Sequence, residues 1–214
     1  MMPSIADIRK EYKLQTLEEE LVHADPFMQF GKWWNESMTA SIDEVNAMTL
    51  ATASADGLPS ARIVLLKGFD TNGFVFFTNY ESFKGKQIDE NPRACLVFFW
   101  KELERQVRIT GLIRKVSAQV SNEYYQSRPV GSQIGAIISP QSQVIESRDW
   151  LTKKEVEVLK ELNGKTIERP PHWGGYCVQP VTIEFWQGRP NRLHDRIQYS
   201  LEKNGDWKIE RLAP

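Results

Sequence analysis

Through residues 47–116 the chain alternates short apolar stretches with tight-turn residues, and this rhythm limits the fold more than any other feature. Residues 47–54 lead through Ala55-Asp56-Gly57, a hairpin-type turn, into residues 60–67. Asp70-Thr71-Asn72-Gly73 is a second turn, with a strand at 74–78 behind it. A helical segment near 82–90 and Pro92 precede a strand at 94–100; residues 101–104 then turn into a strand at 105–116, expected to break at Gly111. Strand signals return at 175–178, 182–186, 192–199 and 207–212. Short antiparallel strands at this density predict a mainly β fold, a barrel or sandwich, with helices attached. Helices are expected at 117–126 and 150–162, and after Asp25-Pro26, which read as N-cap and first helical residue. There Phe27, Phe30, Trp34 and Met38 recur at helical spacing and predict a face packed on the core. Residues 5–14 read as a short, charged, helical lead.

With 214 residues, 41% of them hydrophobic and 26% charged, the chain suits one domain with a substantial core, and general disorder is excluded. No linker marks a second domain, so 1–214 is read as a single domain with 1–24 as its lead. Lys+Arg 27 against Asp+Glu 28 leaves no basic field, which argues against nucleic acid as a partner. Any anion site must therefore be built from a few placed cations. Seven Trp and ten Phe point to a well-filled core or to stacking surfaces. Cys95 sits in an apolar run and reads as a small buried hydrophobe; with Cys177 it forms no CxxC, so neither zinc nor a disulfide framework is indicated. His23, His172 and His194 are too scattered for a metal site. No apolar segment is long enough for a bilayer, and the start of the chain lacks an apolar signal core, so a soluble cytoplasmic protein is expected. Gly-x-Gly-x-x-Gly, P-loop and Gly-x-Ser-x-Gly motifs are absent.

Four segments could carry chemistry. In Asn191-Arg192-Leu193-His194-Asp195-Arg196-Ile197, a strand would put Arg192, His194 and Arg196 on one face and Leu193 and Ile197 on the other. Two guanidiniums and an imidazole suit an anionic ligand that needs a proton handled; a solvated edge strand is the competing reading. In Arg62-Ile63-Val64-Leu65-Leu66-Lys67 the two cations are five apart, on opposite faces unless one lies at an end or bulge. Snorkelling from the strand ends would look the same. Ser82-Phe83-Lys84-Gly85-Lys86 begins a helix whose N-terminus could receive phosphate, though solvated lysines would read alike. Tyr124, Ser127-Arg128-Pro129 and Ser132-Gln133-Ile134-Gly135 could hold a phosphate monoester or form an ordinary loop. Gln106, Gln141 and Ser142 carry no signal alone.

Taken in order, these segments resemble the pyridoxine/pyridoxamine 5'-phosphate oxidases, flavin mononucleotide (FMN) enzymes that make pyridoxal 5'-phosphate. The strongest pieces are the Arg62 to Lys67 run, Ser127-Arg128-Pro129, Ser132-Gln133-Ile134-Gly135-Ala136, Trp173-Gly174-Gly175, Glu184-Phe185-Trp186-Gln187-Gly188, Arg192-Leu193-His194-Asp195-Arg196 and Glu210-Arg211-Leu212-Ala213-Pro214. The resemblance spans 8–214 and implies an FMN-binding split β-barrel homodimer with flavin sites at the subunit interface. It implies that Arg62, Ile63, Val64, Leu65, Leu66, Lys67, Phe77, Thr78, Lys84, Gln141 and Ser142 surround the flavin, and that Gln106, Trp186 and Arg196 complete its site, some of them from the partner subunit. Lys67, Tyr124, Arg128 and Ser132 would hold the substrate phosphate. Arg192, Leu193 and His194 would face the substrate, with Arg192 orienting it and His194 handling its proton. Arg9, Lys10, Glu11 and Tyr12 match a segment that closes over the substrate in the family. The implied reaction oxidises pyridoxine or pyridoxamine 5'-phosphate, with O2 as acceptor, H2O2 as product and NH3 released from the amine.

Two positions depart from the family pattern. Phe83 stands where an arginine often precedes the lysine, and Phe77 where some relatives carry tyrosine. Two other classes compete with the oxidase. A flavin reductase using a nicotinamide donor would have no need of the Lys67, Tyr124, Arg128, Ser132 cluster. A non-catalytic flavin or pyridoxal-phosphate carrier would have no need of Arg192 and His194.

Overall fold

The computed structural model describes residues 4–7, 10–162 and 166–214. Among them run the helices α1 (Pro26–Thr39), α2 (Phe83–Glu90), α3 (Ala118–Ser127), α4 (Val130–Ile138) and α5 (Arg148–Leu162). The strands are β1 (Ala47–Ala53), β2 (Pro59–Leu65), β3 (Gly68–Asp70), β4 (Gly73–Asn79), β5 (Arg93–Trp100), β6 (Arg105–Lys115), β7 (Trp173–Gln187), β8 (Asp195–Leu201) and β9 (Trp207–Arg211). Strand order is β2-β1-β5-β6-β7-β4-β3, with β8 on β7 and β9 on β8, an open path of pairings. The mainly β fold with attached helices is as the turn rhythm predicts. Packing resolves two compact units. One holds the described residues up to Leu50 with Cys95–Gly111 and Pro180–Pro214, and the other those of Ala51–Ala94 and Leu112–Gln179.

In the first unit, the Asp25 carboxylate accepts from Phe27 N–H at 2.7 Å and Pro26 opens α1, so the helix starts where the sequence places it. Its buried face is rotated from the expected stripe. Phe30 and Trp33 are buried, whereas Met38 is exposed. Phe30 meets Phe98 at 5.3 Å, and Trp33 packs edge-on against Phe185 at 5.2 Å. The Arg105 guanidinium lies 4.4 Å over Trp33, donates through Nε to Gln187 Oε1 at 3.0 Å and pairs with Glu36 at 2.5 Å. A buried arginine is tolerated because its donors find partners. Cys95 is half-buried rather than buried, because alternation along β5 sends Leu96 and Phe98 inward instead.

In the second unit, Tyr125, Ile134, Ala136, Ile167 and Trp173 form a core, with Phe77 and Tyr124 packed against it. The α4 helix falls in a stretch read as a possible loop on the strength of Pro129 and two glycines. Pro129 precedes the first helical residue, where a missing N–H costs nothing, and burial of Ile134 and Ala136 supplies the packing.

Four further expectations change. The lead at 5–14 holds only a 3₁₀ turn at Ile5–Asp7 among its described residues, because the remainder is tied down by side chains of the body. Gly111 does not break β6, which is flanked by β5 and β7. The strands expected at 175–178 and 182–186 are one strand, β7. Pro180 falls between the stretch paired with β4 and the stretch paired with β8, where no N–H is called for. The last strand of chemical interest starts at Asp195, not Arg192, so Arg192 and His194 lie in the turn before it. Leu193 is consequently exposed, while Ile197 is fully buried.

Helix α2 generates a test of this packing. Ser82 caps it by accepting from Gly85 N–H, and a Cβ on Gly85 would come within 1.9 Å of the Tyr80 carbonyl oxygen. Gly85→Ala should therefore destabilise the protein by about 1–3 kcal/mol in urea unfolding, although alanine favours helices in isolation. An unchanged midpoint would show that α2 is free to shift.

Candidate active site

The second unit contains a cavity of about 860 Å³. Strand β2 contributes Arg62, Ile63, Val64 and Leu65, and Lys67 follows it. Lys67 lies beyond the strand end, which is why two cations five residues apart reach one cavity. Strand β4 adds Phe77, Thr78 and Asn79, and the first turn of α2 adds Lys84. From α3, α4 and the loops around them come Tyr124, Arg128, Ser132, Gln141 and Ser142. Leu66 alone of the 62–67 run does not line the cavity; its side chain is buried instead. Asn79 and Ser139 line it without having been singled out, and Trp173, quoted for the resemblance, lines it without having been given a role there.

Four of the lining residues are cations and none is acidic. Arg62 is held from behind, donating to Thr52 Oγ1 at 2.6 Å and to Ser60 Oγ. Both hydroxyls direct their own hydrogens to Gln87 Oε1, at 2.6 and 2.5 Å, so their oxygens are left to accept. Lys84 is buried, and its Nζ donates to Thr78 Oγ1 at 3.2 Å, Ser82 Oγ at 3.3 Å and Gln141 Oε1 at 3.1 Å. Burial first, and then the charge of Arg62, push its pKa down to about 8. Ser142 has a left-handed φ of 73°, an uncommon conformation for serine, at the cavity rim.

At the other cation pair, Phe77 stacks on Tyr124 with centroids 3.9 Å apart, and Trp173 stacks on Phe77 at 5.6 Å. The Arg128 guanidinium lies 4.5 Å over Trp173, and burial lowers its pKa. Its Nη1 is buried without a hydrogen-bond partner among the described residues. An unpaired buried guanidinium nitrogen is costly, and an anionic ligand is the kind of group that would satisfy it. Ser132 stands exposed on α4 beside it. The arrangement can hold more than one phosphate-sized anion against an aromatic wall.

The remaining sequence-derived residues lie in the first unit. Trp186 faces Arg196 in the β7–β8 register, and Gln106 is half-buried on β6. Arg196 grips Glu184 through two hydrogen bonds, at 2.9 and 3.1 Å, and donates to the Ala213 carbonyl at 2.7 Å. His194 lies 4.6 Å from Trp186 and 6.1 Å from Tyr12, centroid to centroid. Its pKa is lowered by burial and by Arg192, with Asp195 opposing. Arg192 and Leu193 are exposed in the turn, and Arg192 has a φ of 63°. Tyr12 also meets Trp186 edge-on at 5.8 Å. Lys10 pairs with Glu104 at 3.3 Å, Glu11 is exposed, and Arg9 lies outside the described residues. Sequence reasoning missed Glu104, whose buried carboxylate accepts from Lys13 and Leu14 N–H at 2.8 and 3.1 Å. Burial opposes its charge, yet those hydrogen bonds and Lys10 bring its pKa below the usual range.

Residues 35–160 match the family model for pyridoxamine 5'-phosphate oxidase, and 173–214 match that for the pyridoxine 5'-phosphate oxidase C-terminal dimerisation region. The chain is 54% identical to a Nostoc punctiforme pyridoxine/pyridoxamine 5'-phosphate oxidase over all of both chains. It is 56% identical to the Bordetella pertussis protein of the same name, over 99% of this chain and all of the other. Among solved structures it is similar to Burkholderia lata PhzG in complex with tetrahydrophenazine-1-carboxylic acid. That match has 28% identity and a TM-score of 0.88, and covers 94% of this chain and 99% of the other. A second is a pyridoxamine 5'-phosphate oxidase-related, FMN-binding protein from Nostoc punctiforme, at 17% identity and a TM-score of 0.70, covering 90% and 100%. These likenesses show the fold to be a split β-barrel. Among the described residues no helix is long and apolar enough to cross a membrane.

The depressed Lys84 pKa fixes the sign of a pH dependence. Above about pH 8 the lysine of the free protein is largely neutral, and binding an anion must first recharge it. Calorimetric affinity for inorganic phosphate should fall above that pH, by at most about tenfold per unit, with proton uptake on binding. Lys84→Gln should bind weakly at all pH values and lose this slope; a slope that survives would assign it to another group.

Proposed function

The chain belongs to the pyridoxamine 5'-phosphate oxidase family, and from that premise we propose that it oxidises pyridoxine or pyridoxamine 5'-phosphate to pyridoxal 5'-phosphate with bound FMN. The observation that carries this reading is the cavity with four cations, no acidic lining residue and an Arg128 Nη1 that has no partner among the described residues. Cofactor and substrate each bring a phosphate, and the cavity offers a separate cation pair for each. Arg62 and Lys84 would hold the FMN phosphate, with Thr78, Gln141 and Ser142 beside it. Lys67 and Arg128, helped by Tyr124 and Ser132, would hold that of the substrate.

Bound FMN would supply a two-electron acceptor for the substrate's exocyclic carbon, with O2 as the final oxidant. The alcohol and O2 give the aldehyde and H2O2; the amine, O2 and water give the aldehyde, H2O2 and NH3. The chain's own contribution is to fix positions. A substrate anchored at its phosphate by Arg128 and Lys67 keeps its ring in one pose, which can supply a large part of the rate. Arg192 would orient the substrate, and His194 would hydrogen-bond a polar group beside its reacting carbon. Gln106, Trp186 and Arg196 would complete the flavin site, some of them from the partner subunit, as the resemblance implies. The protein works as a homodimer, a reading supported by the match of 173–214 to a dimerisation region. Both cysteines are free thiols, in keeping with a reducing cytoplasm.

Adding pyridoxamine 5'-phosphate to the FMN-loaded protein without oxygen should bleach the flavin absorbance, and air should restore it with pyridoxal 5'-phosphate formed. A flavin that ignores this substrate and pyridoxine 5'-phosphate, yet bleaches with a nicotinamide donor, would make the protein a reductase. The exposed Phe83, first residue of α2, gives a second test. Phe83→Arg should tighten FMN binding by roughly 3- to 10-fold through one added cation. Flavin fluorescence titration showing an equal or weaker affinity would mean that this position does not reach the phosphate.

A further inference from the structure

Residues 188–194 fold back on themselves. The Gly188 N–H donates to the Glu104 carbonyl at 2.7 Å, and a Cβ there would lie 2.7 Å from the Tyr12 ring, so the Tyr12 position relies on glycine. Arg189 is anchored at both ends of its guanidinium, with Nε 3.4 Å from Asp195 and Nη1 donating to the Gln15 carbonyl at 3.0 Å. Asn191 and Arg192 then take left-handed φ values of 56° and 63° in succession, a pairing uncommon for residues with side chains. This reversal carries the His194 ring over the main chain of Arg189, whose N–H donates to His194 Nδ1 at 3.1 Å.

That contact settles the tautomer. A main-chain N–H can only donate, so Nδ1 must present its lone pair. A neutral imidazole has one accepting and one protonated nitrogen, which leaves the hydrogen on Nε2. We propose that His194 meets the substrate as a hydrogen-bond donor through Nε2–H, with the Arg189 main chain as the positioning element that fixes this tautomer. Trp186 and Tyr12, on the ring at 4.6 and 6.1 Å, limit its rotation. The imidazolium would set an Nδ1–H against the Arg189 N–H, donor against donor. Burial and Arg192 also disfavour the charged ring, Asp195 being the opposing group.

This inference rests on His194 facing the substrate, and it changes the role expected from sequence. With Nδ1 engaged and Nε2 already protonated, the ring has no lone pair for the substrate's proton. His194 instead donates to a lone pair of an oxygen or nitrogen on a phosphorylated pyridine, and no bond to hydrogen is broken at its ring.

Proton–nitrogen correlation NMR of the FMN-loaded protein, labelled at histidine, reads the tautomer directly. His194 is identified as the signal lost in His194→Gln. An Nε2–H pattern is expected at about pH 7; an Nδ1–H pattern, or an imidazolium, overturns the proposal whether or not the protein proves to be an oxidase. Kinetics test the donor role. Gln can place an N–H near the Nε2 position and Asn cannot, so both variants should lose kcat, with His194→Gln retaining about tenfold more than His194→Asn. Equal losses in the two, alongside an active parent enzyme, would overturn the donor role.

Discussion

Concentrating four cations around one cavity, without an acidic residue in its lining, is the constraint to which the second unit is built. Like charges repel, and a buried ammonium without a counter-ion loses its hydration, which is why the Lys84 pKa lies far below that of a free lysine. Neutral acceptors keep the cations in place. Gln87 orients Thr52 and Ser60 so that both can receive hydrogen bonds from Arg62. Thr78, Ser82 and Gln141 do the same for Lys84, and Trp173 lies under Arg128. None of these partners cancels the charge, so the field is left for a ligand. A site of this kind lowers the stability of the free protein and recovers it when anions bind.

The first unit solves a different problem, holding an irregular N-terminal segment and a strained turn in register. Charged groups are the means. Glu104 binds two main-chain N–H groups of the segment, and Asp195 accepts from Leu17 N–H at 3.1 Å while pairing with Arg211 at 2.8 Å. Arg211 also pairs with Glu19 at 2.5 Å. Such contacts fix where Tyr12 meets Trp186 and His194. They are directional in a way that apolar packing is not, and that suits a segment with only Leu17 buried between residues 10 and 22.

The fold was legible wherever local rules and tertiary packing agree. Asp25-Pro26 starts α1, Ala55-Asp56-Gly57 turns β1 into β2, and Ser82 caps α2. It was illegible where packing overrides propensity, as in α4 behind Pro129 and in β7 running through Pro180. The cavity residues Arg62, Lys67, Lys84, Tyr124 and Arg128 could be picked out, but alternation alone put Arg62 and Lys67 on opposite faces. The end of β2 before Lys67 removes that objection. At 192–194 the strand reading failed because two left-handed residues make a turn; asparagine tolerates such backbone, but nothing in Arg192 announces it. Glu104 and the Arg189 N–H went unseen for a related reason. Their roles depend on contacts between segments far apart in sequence, or on a main-chain group that every residue carries.

Phosphorus NMR of the protein holding FMN and pyridoxal 5'-phosphate together tests the central claim, that one cavity keeps two phosphates on separate cations. Two bound resonances are expected, with Lys84→Gln shifting only that of the flavin and Arg128→Ala only that of the pyridoxal phosphate. Both substitutions acting on the same resonance, or neither acting on any, would contradict the account.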